Sequence, residues 1–136
     1  MIESPSHTLV IKSAQKEIEK VEQFLKDIFE KYQLPIKCFN KVFLCVSEAV
    51  NNSIIHGNKQ KVHKAIHVQV NYKKQTLDIV VTDEGEGFDI NAIPDPTDSN
   101  YIKNESGRGI HIIKSLSVSL KHNEKGNSLQ FQINCS

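Results

Sequence analysis

One stretch, residues 43–58 with the sequence FLCVSEAVNNSIIHGN, combines an apolar helical pattern with polar residues where a buried helix usually has none. Glu48 precedes Asn51 and Asn52 by three and four positions, so all of them share one face of the helix. A carboxylate followed one turn later by an amide oxygen can hold a water, a hydroxyl or a hydrated Mg²⁺. The alternative is a partly exposed polar stripe on a helix that ends at Gly57. The residues predicted to face a core are Val42, Val46, Ala49, Val50 and Ile54.

The length and composition limit the class of protein. The chain has 136 residues, 38% of them apolar, which predicts a single domain over residues 1–136. No apolar run approaches the roughly 20 residues of a membrane-spanning helix, and the N-terminal residues lack the pattern of a signal peptide. The net charge is +1 and the charges are interspersed. We therefore expect a protein with no membrane contact and no direct nucleic-acid contact.

The cysteines bear on the redox compartment. Cys38, Cys45 and Cys135 cannot all pair within one chain. Cys38 and Cys45 lie in apolar helical surroundings, where a free cysteine packs as a small hydrophobic residue. The sequence therefore predicts reduced cysteines and a cytoplasmic protein.

Hydrophobic periodicity predicts the order β, α, α, β, β, lid, α, β, β. The lid, about residues 92–106, is rich in polar residues and proline, and long loops of this kind are usually functional. This order predicts an α/β (α+β) two-layer sandwich, in which a mixed, mostly antiparallel sheet is covered on one face by three helices. The predicted helices span 14–34, 36–56 and 110–116, and the predicted strands span 6–12, 65–72, 76–82, 118–121 and 128–134.

The segment Asp83-x-Gly85-x-Gly87 follows a predicted strand. Its glycines permit close approach of the backbone to a flat ligand. Asp83 can accept a charge-assisted hydrogen bond from an exocyclic amine such as N6 of adenine. The alternative is an ordinary turn, in which Asp and Gly are common.

The segment Gly107-Arg108-Gly109 leads into a predicted helix. Free backbone N–H groups at a glycine-rich helix start form an anion site that suits phosphates. Arg108 either adds a positive charge there or faces solvent. The alternative is a lid hinge that binds no ligand. The segment is not a P-loop, because no Gly-Lys-Ser/Thr ending follows.

Together these segments resemble the N, G1 and G2 boxes of the GHKL ATPase superfamily, in the same order and with a lid between the last two. SEAVNNSIIHGN, VTDEGEGFD and SGRGIHIIKSL are similar to the versions found in the small serine-protein kinases that act as bacterial anti-sigma factors. The resemblance covers nearly the whole chain. It implies a Bergerat-type ATP-binding fold.

The resemblance also implies a role for each matching residue. Glu48 would act as the general base on the attacking hydroxyl, and Asn52 would coordinate Mg²⁺. Asp83 would bind the adenine amine. Such a site suits phosphoryl transfer, in which the protein mainly positions groups and neutralises charge. The residues implied to contact ATP are Asn52, Asp83, Gly85, Gly87, Gly107, Arg108 and Gly109.

The activity implied by the resemblance is that of an ATP- and Mg²⁺-dependent serine/threonine-protein kinase. It would sequester a sigma factor and phosphorylate a serine of a small antagonist protein, and such kinases commonly act as homodimers. The alternative is a non-catalytic, ATP-gated protein-binding module. Glu48 favours catalysis, because binding alone needs no base. A third possibility is a plain α/β domain that binds no nucleotide.

Overall fold

The computed structural model describes residues 6–58, 61, 63–85, 105–123 and 127–136. Within these ranges no helix has the length and apolar character needed to cross a membrane. The strands are β1 (Ser6–Lys12), β2 (Ala65–Lys73), β3 (Thr76–Asp83), β4 (Ser119–His122) and β5 (Ser128–Asn134). The α-helices are α1 (Ile18–Lys31), α2 (Ile36–Asn52) and α3 (Glu105–Leu116).

The five strands form one sheet in the order β1-β2-β3-β5-β4. Along β2, β3 and β5 every second side chain is buried, as expected for strands with one face against a core. That face packs with α1 and α2 in one hydrophobic cluster. The predicted two-layer sandwich is confirmed, and each of the four described pairings is antiparallel, so no parallel pairing occurs among these strands.

The end of α2 departs from regular α-helix. Residues Ser53–Gly57 form a π-helical turn, which the N–H of Asn58 closes by donating to the carbonyl of Ser53 at 2.7 Å. The predicted helix over 36–56 therefore consists of an α-helix and a π-turn. Single π-turns are rare and often occur at functional sites.

Helix α3 begins at Glu105, five residues before the predicted start at Ile110. Gly107 and Gly109 have low helix propensity, which led to the later predicted start. Packing of α3 against α2 overrides that preference. The predicted lid therefore overlaps the helix at 105–106, and its remainder, 92–104, lies outside the described residues.

Cys38 and Cys135 form a disulfide, with their Cα atoms 5.6 Å apart. The prediction that all cysteines are reduced is wrong for this pair. Cys38 lies in the first turn of α2, and Cys135 directly follows β5. The end of β5 lies beside the start of α2, where Lys41 Nζ donates to the carbonyl of Asn134 at 3.2 Å. Cys45 is free and buried, and this burial raises its pKa to about 11.

The β2–β3 turn offers a test of backbone conformation. Its central residues, Lys74 and Gln75, have positive φ of 49° and 65°, a combination that turns with Asn-Gly adopt more readily. Gln75→Gly should raise the free energy of unfolding by about 1 kcal/mol, because a Cβ is unfavourable in this region. Urea unfolding measures the change. Gln132→Gly, within β5, is the control and should lower the free energy of unfolding. An equal decrease in both variants would contradict the positive φ at Gln75.

Candidate functional site

The polar residues of α2 lie at the boundary between the core and the surface. Val46, Ala49 and Val50 are fully buried and hold the helix against the rest of the core. Asn52 is only 4% exposed, whereas Glu48 is half-buried. Because the two residues are one turn apart, the carboxylate and the carboxamide lie next to each other along the helix.

Gly109 of α3 packs directly on this pair. A Cβ added to Gly109 would lie 2.7 Å from Glu48 Oε2 and 3.4 Å from Asn52 Nδ2. Real Cβ atoms essentially never approach an oxygen that closely. The missing side chain of Gly109 therefore makes room for the Glu48 carboxylate, and α3 comes into contact with a pair of residues that lies far from it in the sequence.

Buried polar atoms without a partner cluster on the same part of α2. Asn52 Nδ2, Asn51 Oδ1 and Ser47 Oγ have no hydrogen-bond partner among the described residues. Buried polar atoms in proteins are nearly always paired, so each unpaired one requires an explanation such as a ligand or an ion. Rotation of the Asn52 carboxamide exchanges its nitrogen and oxygen, so this side chain can present either a donor or an acceptor.

These side chains fit a magnesium–phosphate group. Mg²⁺ usually keeps several waters and is bound by one or two protein ligands together with phosphates. In the described part of the chain no three His, Cys, Asp or Glu side chains form a metal-binding group. The Asn52 carboxamide can offer one oxygen, which is the kind of protein ligand that such an ion would take.

Asp83 lies at the end of β3 and is 4% exposed. Its Oδ1 accepts a hydrogen bond from the backbone N–H of Gly85 at 2.7 Å, and Gly85 is buried as well. The Asp83 carboxylate is thus oriented by the turn that follows it. Gly87 of the same motif lies outside the described residues.

Two asparagines that the sequence interpretation missed surround this turn. Asn58 Oδ1 accepts the backbone N–H of Glu84 at 2.9 Å, and Asn127 Nδ2 donates to the carbonyl of Asp83 at 2.9 Å. Both residues looked like ordinary turn residues, since Asn is common in turns. The only available signal was that Asn58 ends the helical segment that carries Glu48 and Asn52.

The structure brings the remaining candidates to the site to different degrees. Glu48, Asn52 and Gly109 are in contact, and Asn58 ties the Asp83 turn to the end of α2. Gly107 lies in the first turn of α3, where the N–H groups have no acceptor within the helix itself. The N–H of Gly109, two residues further on, donates within the helix. Arg108 is exposed.

Comparison with known proteins gives two matches. Residues 11–133 match the family described as histidine kinase-like ATPase domain. Over 89 residues the chain is 35% identical to the anti-sigma F factor of Oceanobacillus iheyensis. That alignment covers 62% of this chain and 61% of the relative, so the chain spans less than two thirds of the length of that protein.

Proposed function

The chain belongs to the histidine kinase-like ATPase family, and we propose that it is an ATP- and Mg²⁺-dependent serine/threonine-protein kinase that acts as an anti-sigma factor. Membership of this family implies ATP binding. The likeness to an anti-sigma F factor supports the finer proposal, in which the protein sequesters a sigma factor and phosphorylates a serine of a small antagonist. We also propose that it acts in the cytoplasm, with a homodimer as its predicted form; the support for the location is the likeness to an anti-sigma F factor and not the cysteines, since two of them form a disulfide.

One observation carries the catalytic part of this proposal. Glu48 lies against Asn52 and against the bare backbone of Gly109, so a carboxylate stands beside a carboxamide whose Nδ2 has no partner among the described residues. A domain that only bound ATP would need the carboxamide and the glycine, but it would not need a carboxylate at this point. Its presence favours transfer of the phosphoryl group over binding alone.

Each of these residues then has a chemical task. Glu48 accepts the proton of the attacking serine hydroxyl as the new oxygen–phosphorus bond forms and the bond to the leaving ADP breaks. Asn52 would hold Mg²⁺, which when bound neutralises charge on the phosphates. Asp83 accepts a hydrogen bond from the purine amine, and Gly85 leaves room for the ring.

The phosphate end and the lid complete the proposed site. The first turn of α3, which contains Gly107, would offer the phosphates N–H groups that have no acceptor within the helix. Arg108 is exposed and would contribute its charge only from the surface. The roles proposed for Gly87 and for a lid over about 92–106 concern residues that lie mostly outside the described ranges.

The function is tested by transfer of label from γ-labelled ATP. The candidate antagonist is captured from a lysate of the source cell, by a pull-down that uses the purified protein in the presence of MgATP. We expect label on one serine of that antagonist, and none when the serine is replaced by alanine or when EDTA removes Mg²⁺. ATP binding without any transfer to the captured proteins would overturn the kinase proposal and support the ATP-gated binding module.

ATP binding itself has a simpler test. A ligand present at 100 times its dissociation constant stabilises the folded state by about 2.7 kcal/mol. MgATP should therefore raise the thermal unfolding temperature, and Asn52→Leu should abolish that rise. An unchanged unfolding temperature in saturating MgATP would support the plain α/β domain that binds no nucleotide.

Gly109→Ala should separate catalysis from stability. Alanine is favoured over glycine inside a helix by about 1 kcal/mol, and the atom it meets is the end of a flexible side chain, so the fold should tolerate it. The Glu48 carboxylate must then move, and we expect label transfer to fall about 10- to 100-fold. Thermal unfolding and label transfer are measured side by side. Ser115→Ala, on the exposed side of α3, is the control, and wild-type transfer by Gly109→Ala would contradict the prediction.

A further inference from the structure

The sheet ends at Asp83 in an unusual way on the side of β5. The regular pairing of β3 with β5 stops at Thr82 and Ser128. Beyond it, the N–H of Asp83 donates to the carbonyl of Asn127 at 2.9 Å, and Asn127 Nδ2 donates to the carbonyl of Asp83 at 2.9 Å. A side-chain amide therefore supplies the bond that a further strand residue would have made.

A second asparagine does the same on the side of β2. The last pair there is Ile66 with Asp83. Asn58 then stands between the two strand ends: its Oδ1 accepts the N–H of Glu84 at 2.9 Å, and its Nδ2 donates to the carbonyl of Ala65 at 3.2 Å. The residue has 0% exposure, so these hydrogen bonds lie where water does not compete with them.

The two amides hold the backbone on both sides of the point where β3 becomes a turn. From that backbone the Asp83 carboxylate reaches the N–H of Gly85. A loss of either amide would free the strand end, and the Asp83 carboxylate, which that backbone carries, would be held less firmly in its direction.

We propose that Asn58 and Asn127 are positioning residues that aim the Asp83 carboxylate at the exocyclic amine of a purine. This inference rests on the proposed ATP site. It adds that base selectivity depends on two amides that do not touch the base.

Asn58 also joins the two ends of the site. It directly follows the π-turn that begins after Asn52, and its main-chain N–H closes that turn. One short segment therefore carries the carboxamide proposed for the metal at one end and the amide that holds the purine turn at the other.

The test compares ATP with ITP, which has an oxygen in place of the exocyclic amine. Calorimetry gives the dissociation constant for ITP divided by that for ATP, in the wild-type protein, in Asn58→Leu and in Asn127→Leu. We expect the wild-type protein to prefer ATP and the ratio to fall about tenfold in each variant. Asn127 is half-buried, so its replacement should disturb folding less than the replacement of the buried Asn58. If Asn58→Leu does not fold, the ratio measured for Asn127→Leu tests the inference.

A purely structural role would give a different result. Partial unfolding weakens the binding of both nucleotides equally and leaves their ratio unchanged. Glu17→Leu is the matched control, because Glu17 is buried and its Oε1 accepts the N–H of Lys12 at 3.0 Å, at the end of β1. This variant should lose stability and keep the wild-type ratio.

The possible failures are distinguishable. A wild-type protein that binds neither nucleotide would overturn the proposed function together with this inference. A wild-type protein that prefers ATP, with the same preference in Asn58→Leu and Asn127→Leu, would overturn only the inference.

Discussion

Glu48→Gln is expected to lower the rate of phosphoryl transfer by about 10²- to 10⁴-fold, the usual contribution of a general base. Glutamine has nearly the same shape as glutamate, so it can keep the packing against Gly109. Its amide nitrogen and oxygen cannot take up the proton of the attacking hydroxyl. Asn52 and the Asp83 turn are untouched, so the affinity for MgATP should remain close to that of the wild-type protein.

Single-turnover label transfer at saturating MgATP measures the chemical step, and calorimetry measures the affinity. The control is Glu22→Gln, because Glu22 lies on the exposed side of α1, where its Oε1 is 3.2 Å from Lys26 Nζ. That variant removes the same charge and should transfer label normally. If Glu48→Gln transfers label as fast as the wild-type protein, Glu48 is not the base.

Reduction of the Cys38–Cys135 disulfide is expected to lower the free energy of unfolding by several kcal/mol. The bond joins residues 97 positions apart. In the chain-entropy description a loop of about 100 residues is worth about 4.7 kcal/mol, because the bond restricts the unfolded chain. The free energy of unfolding of a domain of this size is usually about 5–15 kcal/mol in total, so the reduced protein should be only marginally stable.

Urea unfolding of the oxidised protein and of the protein refolded after reduction measures this difference. Refolding is needed because both cysteines are buried and shielded from reductant. The double variant Cys38→Ser and Cys135→Ser should match the reduced protein and should not respond to reductant. Equal stability of the oxidised and reduced proteins would show that the bond contributes nothing.

The sequence was most informative where the relevant distances lie within one element. The spacing of Glu48 and Asn52 was sufficient to place both on one side of a helix, since helical geometry fixes that relation. The alternation in β2 and β3 likewise predicted two strands, and the register shows that they pair as an antiparallel hairpin. These inferences needed no knowledge of what packs against the element.

Features that depend on two distant segments were not predictable in this way. The approach of Gly109 to Glu48 depends on how α3 crosses α2, and no local pattern reports that crossing. Cys38 looked like a core residue, because nothing in the sequence places Cys135 beside it. The start of α3 was predicted too late for a related reason: the glycines that weaken the helix locally also allow its close packing.

The π-turn after Asn52 also makes the number of residues in this segment significant. Its closing bond, from Asn58 to Ser53, spans one residue more than an α-helical bond does. A chain with one residue fewer here would continue as regular α-helix. The N–H of Asn58 would then reach the carbonyl of Ser53 as an ordinary α-helical bond, so the asparagine amide would stay close to Glu84. The turn therefore holds one residue more than the path from Asn52 to Asn58 needs, and the deletion of one residue between Ser53 and Asn58 should be less damaging than an insertion there.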